Sequence, residues 1–395
     1  MNGPLAGLRV LDLSGMIAGG FATMTLADHG ADVVMVEHPE HGDPIREWPP
    51  FDGDHSLWWK ALARNKRCVT LDMNSDEGTA LVHELAAEAD VVIENFRPGT
   101  LESWGLGPDA LHETNEDLVV VRISGYGQDG PLAEQPGFGT VAEAMSGFAH
   151  VNGFPDSEPL LPPISLADLA AGQYATMGAL FGVFDTLTGG TGRVVDVSLL
   201  ESLFRMFPSV PEKYDRLDEV DERTGNRHPN AAPRNVYEAS DGYVALSASS
   251  QPIFERVAEC IGRPELIEAD RFATNRKRVE HAAELDGYIE AWMQERTATE
   301  AVAALTDADA VASEIYDISD IHADAQYDAR EAIVTVEDSD LGPVETHGVV
   351  PKFSGETRGV DRLGPGHGEH NDEVYLDEVG LDEDTYTSLR EEGVI

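Results

Sequence analysis

The chain has 395 residues, 42% hydrophobic and 25% charged, a soluble globular composition with enough length for two domains rather than one core. Its 73 acidic residues oppose 27 basic ones, a formal charge of −46, and only five of the bases are lysine (Lys60, Lys66, Lys213, Lys277 and Lys352). That balance excludes nucleic acid as a partner, because phosphates would be repelled, and it fits a salt-loaded cytoplasm such as that of halophilic archaea, where a Debye length of roughly 3 Å at molar salt screens acid from acid.

In chain order, short β-rich runs appear at 8–14 (LRVLDLS), 31–37 (ADVVMVE), 68–73 (CVTLDM), 89–95 (ADVVIEN) and 118–124 (LVVVRIS). Helical patterns fall between several of them, such as FATMTLADHG, ending at Gly30, and DEGTALVHELAAEA. Strands apolar on both faces with helices between them predict a Rossmann-like α/β domain with a mainly parallel sheet. A helical stretch is expected from about 140 to 190, then a strand RVVDVS and a helix from Leu199. The polar, proline-containing residues 208–232 read as a linker. Beyond it, NVYEASDGYVALSAS reads as a hairpin around Asp241-Gly242, followed by helices to about 304. The expected division is therefore a large domain over 1–207, a small α+β domain over 233–325, and a segment 326–395 with strands AIVTVED and HGVVPKFSG that returns to the large domain. No basic amino-terminal region leads into an apolar segment and no apolar run reaches 18 residues, so a cytoplasmic protein without membrane contact is expected.

The first strand is followed by SGMIAGGFATM rather than G-x-G-x-x-G; Gly19-Gly20 permit a close backbone approach without the dinucleotide fingerprint. Cys68 and Cys260 are too few for a disulfide framework or a zinc site. VEHPEHGD groups Glu37, His38, His41 and Asp43 but lacks the helical spacing of histidine ligands, so no metal is expected. ARNKR (63–67) places Arg64, Lys66 and Arg67 together, with Arg46 and Arg97 at loop-like positions. In so acidic a chain these cations suit a polyphosphate nucleotide or coenzyme A, or else local pairing with Glu47, Asp52 or Asp54. In ISLADLAAGQYATMGALFG (164–182), Ser165 and Asp168 form an S-x-x-D pattern that reads as a helix cap. The small residues Ala171, Ala175, Gly178 and Gly182 recur on one face of that helix, suited to packing on another backbone.

Taken in order, ADVVMVEHPEHGD (31–43), NKRCVTLDM (65–73), ENFRPG (94–99), ISGYGQDGP (123–131), AMSGF (144–148) and GEHNDEVYLDEVGL (368–381) resemble the family III coenzyme A transferases, the group of formyl-CoA and carnitine CoA-transferases. The resemblance implies a CoA-binding large domain made from both chain ends with a smaller domain inserted, and a homodimer of interlocked rings. It makes Asp168 the catalytic aspartate, a competent nucleophile toward a thioester. It places Met16, Ile17, His38, Leu71, Asp72, Met73, Asn74, Asn95, Phe96, Arg97, Gly137, Phe138, Gly139 and Thr140 along the coenzyme. The family often has arginine where His38 stands, which leaves a phosphate contact there to Arg46 or Arg64. Gly139 departs from the family's aspartate or aromatic residue.

The coenzyme is expected as a thioester substrate, with no tightly bound cofactor. The second domain shows no glycine-rich lid like that of formyl-CoA transferases, which argues against oxalate as acceptor. Succinyl-CoA as donor and a small dicarboxylate such as mesaconate or a malate analogue as acceptor fit the candidate cations Arg46, His228 and Arg234 and the indole of Trp48. Two other readings remain at this stage: an α-methylacyl-CoA racemase, disfavoured because Phe138 stands where relatives carry a histidine, and a non-catalytic CoA-binding subunit, disfavoured by Asp168. The sequence assigns no role to Glu143.

Overall fold

The valine- and isoleucine-rich runs become six strands in the computed structural model, which describes residues 3–355 and 359–395. They are β1 (Arg9–Asp12), β2 (Asp32–Glu37), β3 (Arg67–Thr70), β4 (Val91–Glu94), β5 (Val119–Ser124) and β6 (Val194–Ser198). All pair in parallel, in the order 3-2-1-4-5-6. Both faces of the central strands are covered, which is why the sequence shows continuous apolar runs rather than alternation. The chain builds outward from β1 to β3, then returns to place β4 on the other side of β1. The order therefore reverses between β1 and β4, and a crevice opens beyond their carboxyl ends.

Four helices shape that crevice: α1 (Met16–Asp28), α2 (Gly139–Met145), α3 (Leu166–Leu187) and α4 (Leu199–Phe204). The single helical stretch expected from 140 to 190 is interrupted. A turn of helix at Phe148–Val151 separates α2 from α3, and prolines 155, 159, 162 and 163, lacking the N–H that continues a helix, break residues 152–165. The small-residue face of α3 has two uses. An added Cβ at Gly172 would lie 2.7 Å from the Ala18 carbonyl oxygen of α1, so there a backbone does approach closely; Gly178 and Gly182 instead face Val195 and Val119 of the sheet.

The larger compact unit comprises Met1–Phe148, Leu161–Pro211 and Tyr327–Ile395; the smaller comprises Ala149–Leu160 and Glu212–Gln326. Residues 149–160 thus leave the large unit that was expected to run unbroken to 207. The expected linker 208–232 contains a helix, Val210–Leu217, and most of it belongs to the smaller unit, where the Lys213 ammonium pairs with Asp221 at 2.7 Å. In that unit the hairpin forms as β7 (Arg234–Glu238) and β8 (Tyr243–Ser247), and Ala312–Glu314 adds a third antiparallel strand. In the returning segment Ile333–Asp338 pairs with Gly342–His347, not with 347–355, because the tight turn before Gly342 brings the nearer residues into register. The tail then covers the edge of β3. The Cys68 and Thr70 amides donate to His370 Nδ1 and Asn371 Oδ1 at 3.1 and 2.9 Å, which leaves that edge no free template.

The ARNKR cations are not held ready for an anion. Arg64 binds Asp28 at 2.5 Å, Lys66 binds Asp12 at 3.2 Å, and Arg67 binds Asp32 at 2.7 Å together with Glu373 and Glu378. None of these partners is Glu47, Asp52 or Asp54. Lys66 and Asp12 have side chains 0% exposed. Breaking such a pair by removing one member leaves a buried charge uncompensated, a loss of about 3–5 kcal/mol. Lys66→Met is expected to lower the denaturation midpoint accordingly, measured by circular dichroism in denaturant; an unchanged midpoint would show that Asp12 is satisfied by its hydroxyl donors alone.

Candidate active site

A cleft of about 880 Å³ lies in the larger unit beyond the carboxyl ends of β1, β4 and β5. Its floor begins at the turn after β1. The Asp12 carboxylate accepts from the Ser14 amide and from the Ser14 and Thr23 hydroxyls, which fixes the turn to the start of α1. A side chain at Gly19 would collide with Ser14, so the close approach read from the sequence is used here. Met16 takes φ +62°, a left-handed conformation costly to a non-glycine residue. It is held there by the Asp43 carboxylate, which accepts from its amide at 3.1 Å; burial raises the Asp43 carboxyl to about 6. Across the switch point Asn95 accepts from the Gly15 amide at 2.9 Å and donates to the Gly15 carbonyl at 2.6 Å, locking the β1 and β4 loops together.

Asp168 enters from the opposite wall, in the first turn of α3. Its carboxylate lies against the Gly139 Cα, where any Cβ would strike it, so glycine at 139 makes room for the acid. The S-x-x-D capping box does not form: Ser165 makes no side-chain cap bond. The end of α3 is served from another helix, since the Ala167 amide donates to Glu143 Oε1 of α2 at 3.4 Å. Glu143 is 4% exposed and lines the same cleft. Burial first, and the Glu143 charge second, raise the Asp168 carboxyl to about 6. The helix amino terminus favours its anion by roughly 0.3–1 kcal/mol at exposed sites.

Of the residues read from the sequence, Met16, Ile17, Asn95, Phe96, Gly137, Phe138, Gly139, Thr140 and Asp168 line the cleft together. His38 and Leu71 to Asn74 lie outside it, beyond the ends of β2 and β3 on the same edge of the sheet. Leu71 is buried as a whole in the core, its amide donating to the Glu37 carbonyl, so it offers no open surface there. Arg97 is exposed next to Phe96 and, among the described residues, its guanidinium has no acidic or hydrogen-bonding partner. Arg46 also stands outside the cleft. Its guanidinium holds the buried Glu37 at 2.6 Å and stacks 3.6 Å over the Trp59 ring, so it buttresses the wall and does not line the cleft. Arg64, the other substitute for a missing contact at His38, is held by Asp28. His228 and Arg234 belong to the smaller unit. Phe138, at the place where a racemase would carry histidine, is an apolar ring 72% exposed. The sequence showed Asp43 only within the VEHPEHGD group set aside as metal ligands, and it left Glu143 without a role. For Glu143 the signal was its spacing of three and four from Thr140 and Gly139, which puts all three on one helix face.

The family model for CoA-transferase family III matches residues 5–371. The chain is 42% identical to the succinyl-CoA–D-citramalate CoA-transferase of Chloroflexus aurantiacus over 99% of this chain and 98% of that protein. It is 37% identical to the beta subunit of the succinyl-CoA–L-malate CoA-transferase of the same organism, again over 99% and 98%. Among solved structures, a CaiB/BaiF family protein from Brucella suis superposes with a TM-score of 0.84 at 32% identity, covering 95% of this chain and all of that one. A parallel sheet whose switch point opens onto an aspartate at a helix start, and relatives along the whole length that transfer CoA, lead to one conclusion: this chain belongs to CoA-transferase family III and is a CoA-transferase.

Proposed function

We propose that the enzyme moves CoA from succinyl-CoA to a second small dicarboxylic acid, mesaconate or a hydroxylated relative of it, with Asp168 as the nucleophile. The observation that carries this reading is the Asp168 carboxylate, half-buried at the inner wall of a cleft whose other walls are the β1 and β4 loops. The relatives named above pair succinyl-CoA with D-citramalate and L-malate, which supports the donor and the acceptor class. An Asp168 oxygen attacks the thioester carbonyl; a C–O bond forms, the C–S bond breaks, and CoA leaves as thiolate. The thiolate then attacks the aspartyl carbonyl of the anhydride, releasing succinate and leaving an aspartyl-CoA thioester. The acceptor carboxylate repeats the exchange and leaves as its CoA thioester, restoring Asp168. Each step trades one activated acyl group for another, so no free acid has to be activated unaided.

The coenzyme is placed along the carboxyl edge of the sheet. Its reacting end lies at Met16, Ile17 and Gly137 to Thr140, Asn95 and Phe96 are in the middle, and Asp72 to Asn74 and His38 lie toward the β3 side. Arg97, which meets no carboxylate among the described residues, is the cation offered to its phosphates. The assembly proposed is a homodimer of interlocked rings. It is supported by the outward face of α3, where Phe181, Phe184 and Leu187 are 70%, 69% and 80% exposed, apolar area that a lone chain leaves in water. The surroundings proposed are a salt-rich cytoplasm; among the described residues no helix is long and apolar enough to cross a membrane.

Asp168→Asn keeps the shape and is expected to fold while losing nearly all transferase activity, and hydroxylamine added to wild type with succinyl-CoA should leave a hydroxamate at residue 168. Substantial turnover in the variant, or a label elsewhere, overturns the mechanism. The same substitution reports on stability. Because the folded carboxyl titrates near 6 rather than the ordinary 3.8, the wild type loses stability as pH rises through that window and does not recover it above. Asp168→Asn is therefore expected to melt higher than wild type at pH 8, by a margin on the order of 1–3 kcal/mol that shrinks toward pH 4. Equal melting at both pH values would show that the acid is not penalised in the fold.

With a charge of −46, fold and assembly should depend on screening. Between about 3 M and 0.1 M KCl, where the Debye length grows to about 10 Å, sedimentation should show the dimer dissociating as turnover and helical signal fall. A fully active protein with an unchanged melting temperature in dilute buffer refutes the salt-rich setting, and an active monomer refutes the interlocked dimer.

A further inference from the structure

Two carboxylates share the cleft, and the reaction as proposed uses only one. We propose that Glu143 is a positioning residue whose carboxylate, reaching from α2, holds the first turn of α3 and by its charge destabilises the free Asp168 carboxylate relative to its acylated forms. This rests on the reading of Asp168 as the nucleophile and adds the group that poises it.

The geometry has three parts. Glu143 Oε1 accepts from the amide of Ala167, the residue immediately before Asp168, and supplies the cap that Ser165 does not. Gly139, one helical turn before Glu143 on α2, has its Cα against the Asp168 carboxylate, so α2 touches the nucleophile at one point and sets a charge beside it at another. The remaining elements packed on α3 are α1, β5, β6 and α4. Among the described residues none of them brings a charged group to bear on Asp168; Glu143 alone acts on it electrostatically.

The consequence follows from counting charge through the exchange. In the free enzyme residues 143 and 168 are two anions in a poorly solvated place. When the Asp168 oxygen forms its bond to the donor carbonyl and the C–S bond breaks, the negative charge departs on the CoA thiolate and the anhydride at 168 is neutral. When the thiolate forms the aspartyl-CoA thioester, the charge departs on the released carboxylate, and residue 168 is again neutral. The repulsion from Glu143 exists only before acylation and after final release. It therefore biases the enzyme toward its covalent states and makes the attacking oxygen more basic, as a like charge does to any neighbouring acid. A serine or alanine at 143 would supply neither effect.

Glutamine at 143 separates charge from shape, because its amide oxygen still accepts from Ala167. With succinyl-CoA as the probe, hydroxamate formation at Asp168 is followed from pH 4.5 to 8.5 in wild type, Glu143→Gln and Glu143→Asp. In Glu143→Gln the acid limb of labelling is expected to move down by about one pH unit, and the fraction of enzyme trapped covalently at pH 8 to fall at least threefold. Glu143→Asp, which keeps the charge, should hold the limb near its wild-type position at a lower rate. Asp43, whose carboxyl burial also raises to about 6, holds the Met16 amide behind the cleft wall, and Glu37 rather than Glu143 is the carboxylate that acts on it, so its titration is common to all three proteins. A Gln variant that matches wild type in both limb and trapped fraction overturns the proposal, with Asp168 intact as nucleophile. Should glutamine not fold, an Asp variant whose limb drops to the ordinary aspartate range overturns it equally. A wild type that carries no label at Asp168 overturns the nucleophile and this proposal together.

Discussion

The cleft depends on one buried carboxylate at the end of the first strand. Asp12 accepts from Ser14, Thr23 and Lys66, and so ties β1, the turn after it, the first helix and the approach to β3 to a single point. In dinucleotide-binding sheets of the same strand order, glycines shape this turn so that a pyrophosphate can sit against the helix start. Here side chains shape it. Asp12 holds it from below, Asp43 holds the strained Met16 from the side, and Asn95 clasps it from the next strand. A turn built this way presents Met16 and Ile17 to the cleft as a wall and needs no glycine-rich loop. That explains how a sheet with this topology lacks the fingerprint its order would suggest.

What was legible in the sequence follows from what is local. Five of the six strands were visible because burial on both faces leaves a run of valine, isoleucine and leucine; the edge strand β6, with Val194 48% exposed, was visible only as the β-branched run RVVDVS. The hairpin at Asp241-Gly242 was visible for the same kind of reason, its turn chemistry being contained in two residues. The long helix was misjudged at its start, where prolines 159, 162 and 163 outweigh the helical residues on either side. The ARNKR cluster was misjudged because charge pairing is not local. Asp28, Asp12 and Asp32 lie some 35 to 54 residues before the cations they hold, and only the parallel crossover brings them together. The partners of Arg46 were hidden in the same way, since nothing in its neighbourhood shows that Trp59 and Glu37 claim it.

The site divides along the same line. Asp168 looked like a cap by pattern, and the resemblance to a transferase family gave it a role that pattern could not. In the structure the capping box does not form: Ser165 makes no cap bond and Glu143 makes one instead. Glycine at 139 departs from the family's usual residue. The space it leaves holds the Asp168 carboxylate, so the departure belongs to the packing of the acid rather than to a lost contact. Neither relation crosses a short sequence window: both join α2 to α3 over a gap of more than twenty residues, and the prolines in that gap decide how the two helices meet.

The charge of this protein also bears on why the important electrostatics are internal. Exposed pairs such as Arg276 with Glu280 are worth little at any salt and less when ions crowd the surface. In a molar-salt solvent, the setting proposed for this chain, a surface field would steer neither coenzyme nor acid, because it would decay within roughly one ion diameter. Charges that are to influence chemistry there have to lie where mobile ions do not enter. Asp12 with Lys66 and Glu37 with Arg46 satisfy that condition as structure. Glu143 satisfies it beside Asp168, the proposed nucleophile, being buried where Asp168 itself is half so. The acids on the surface and the acids in the cleft therefore answer to different solvents. In that proposed setting salt would relieve the repulsion that opposes folding and leave the repulsion between the buried Glu143 and Asp168, the proposed nucleophile, largely in place.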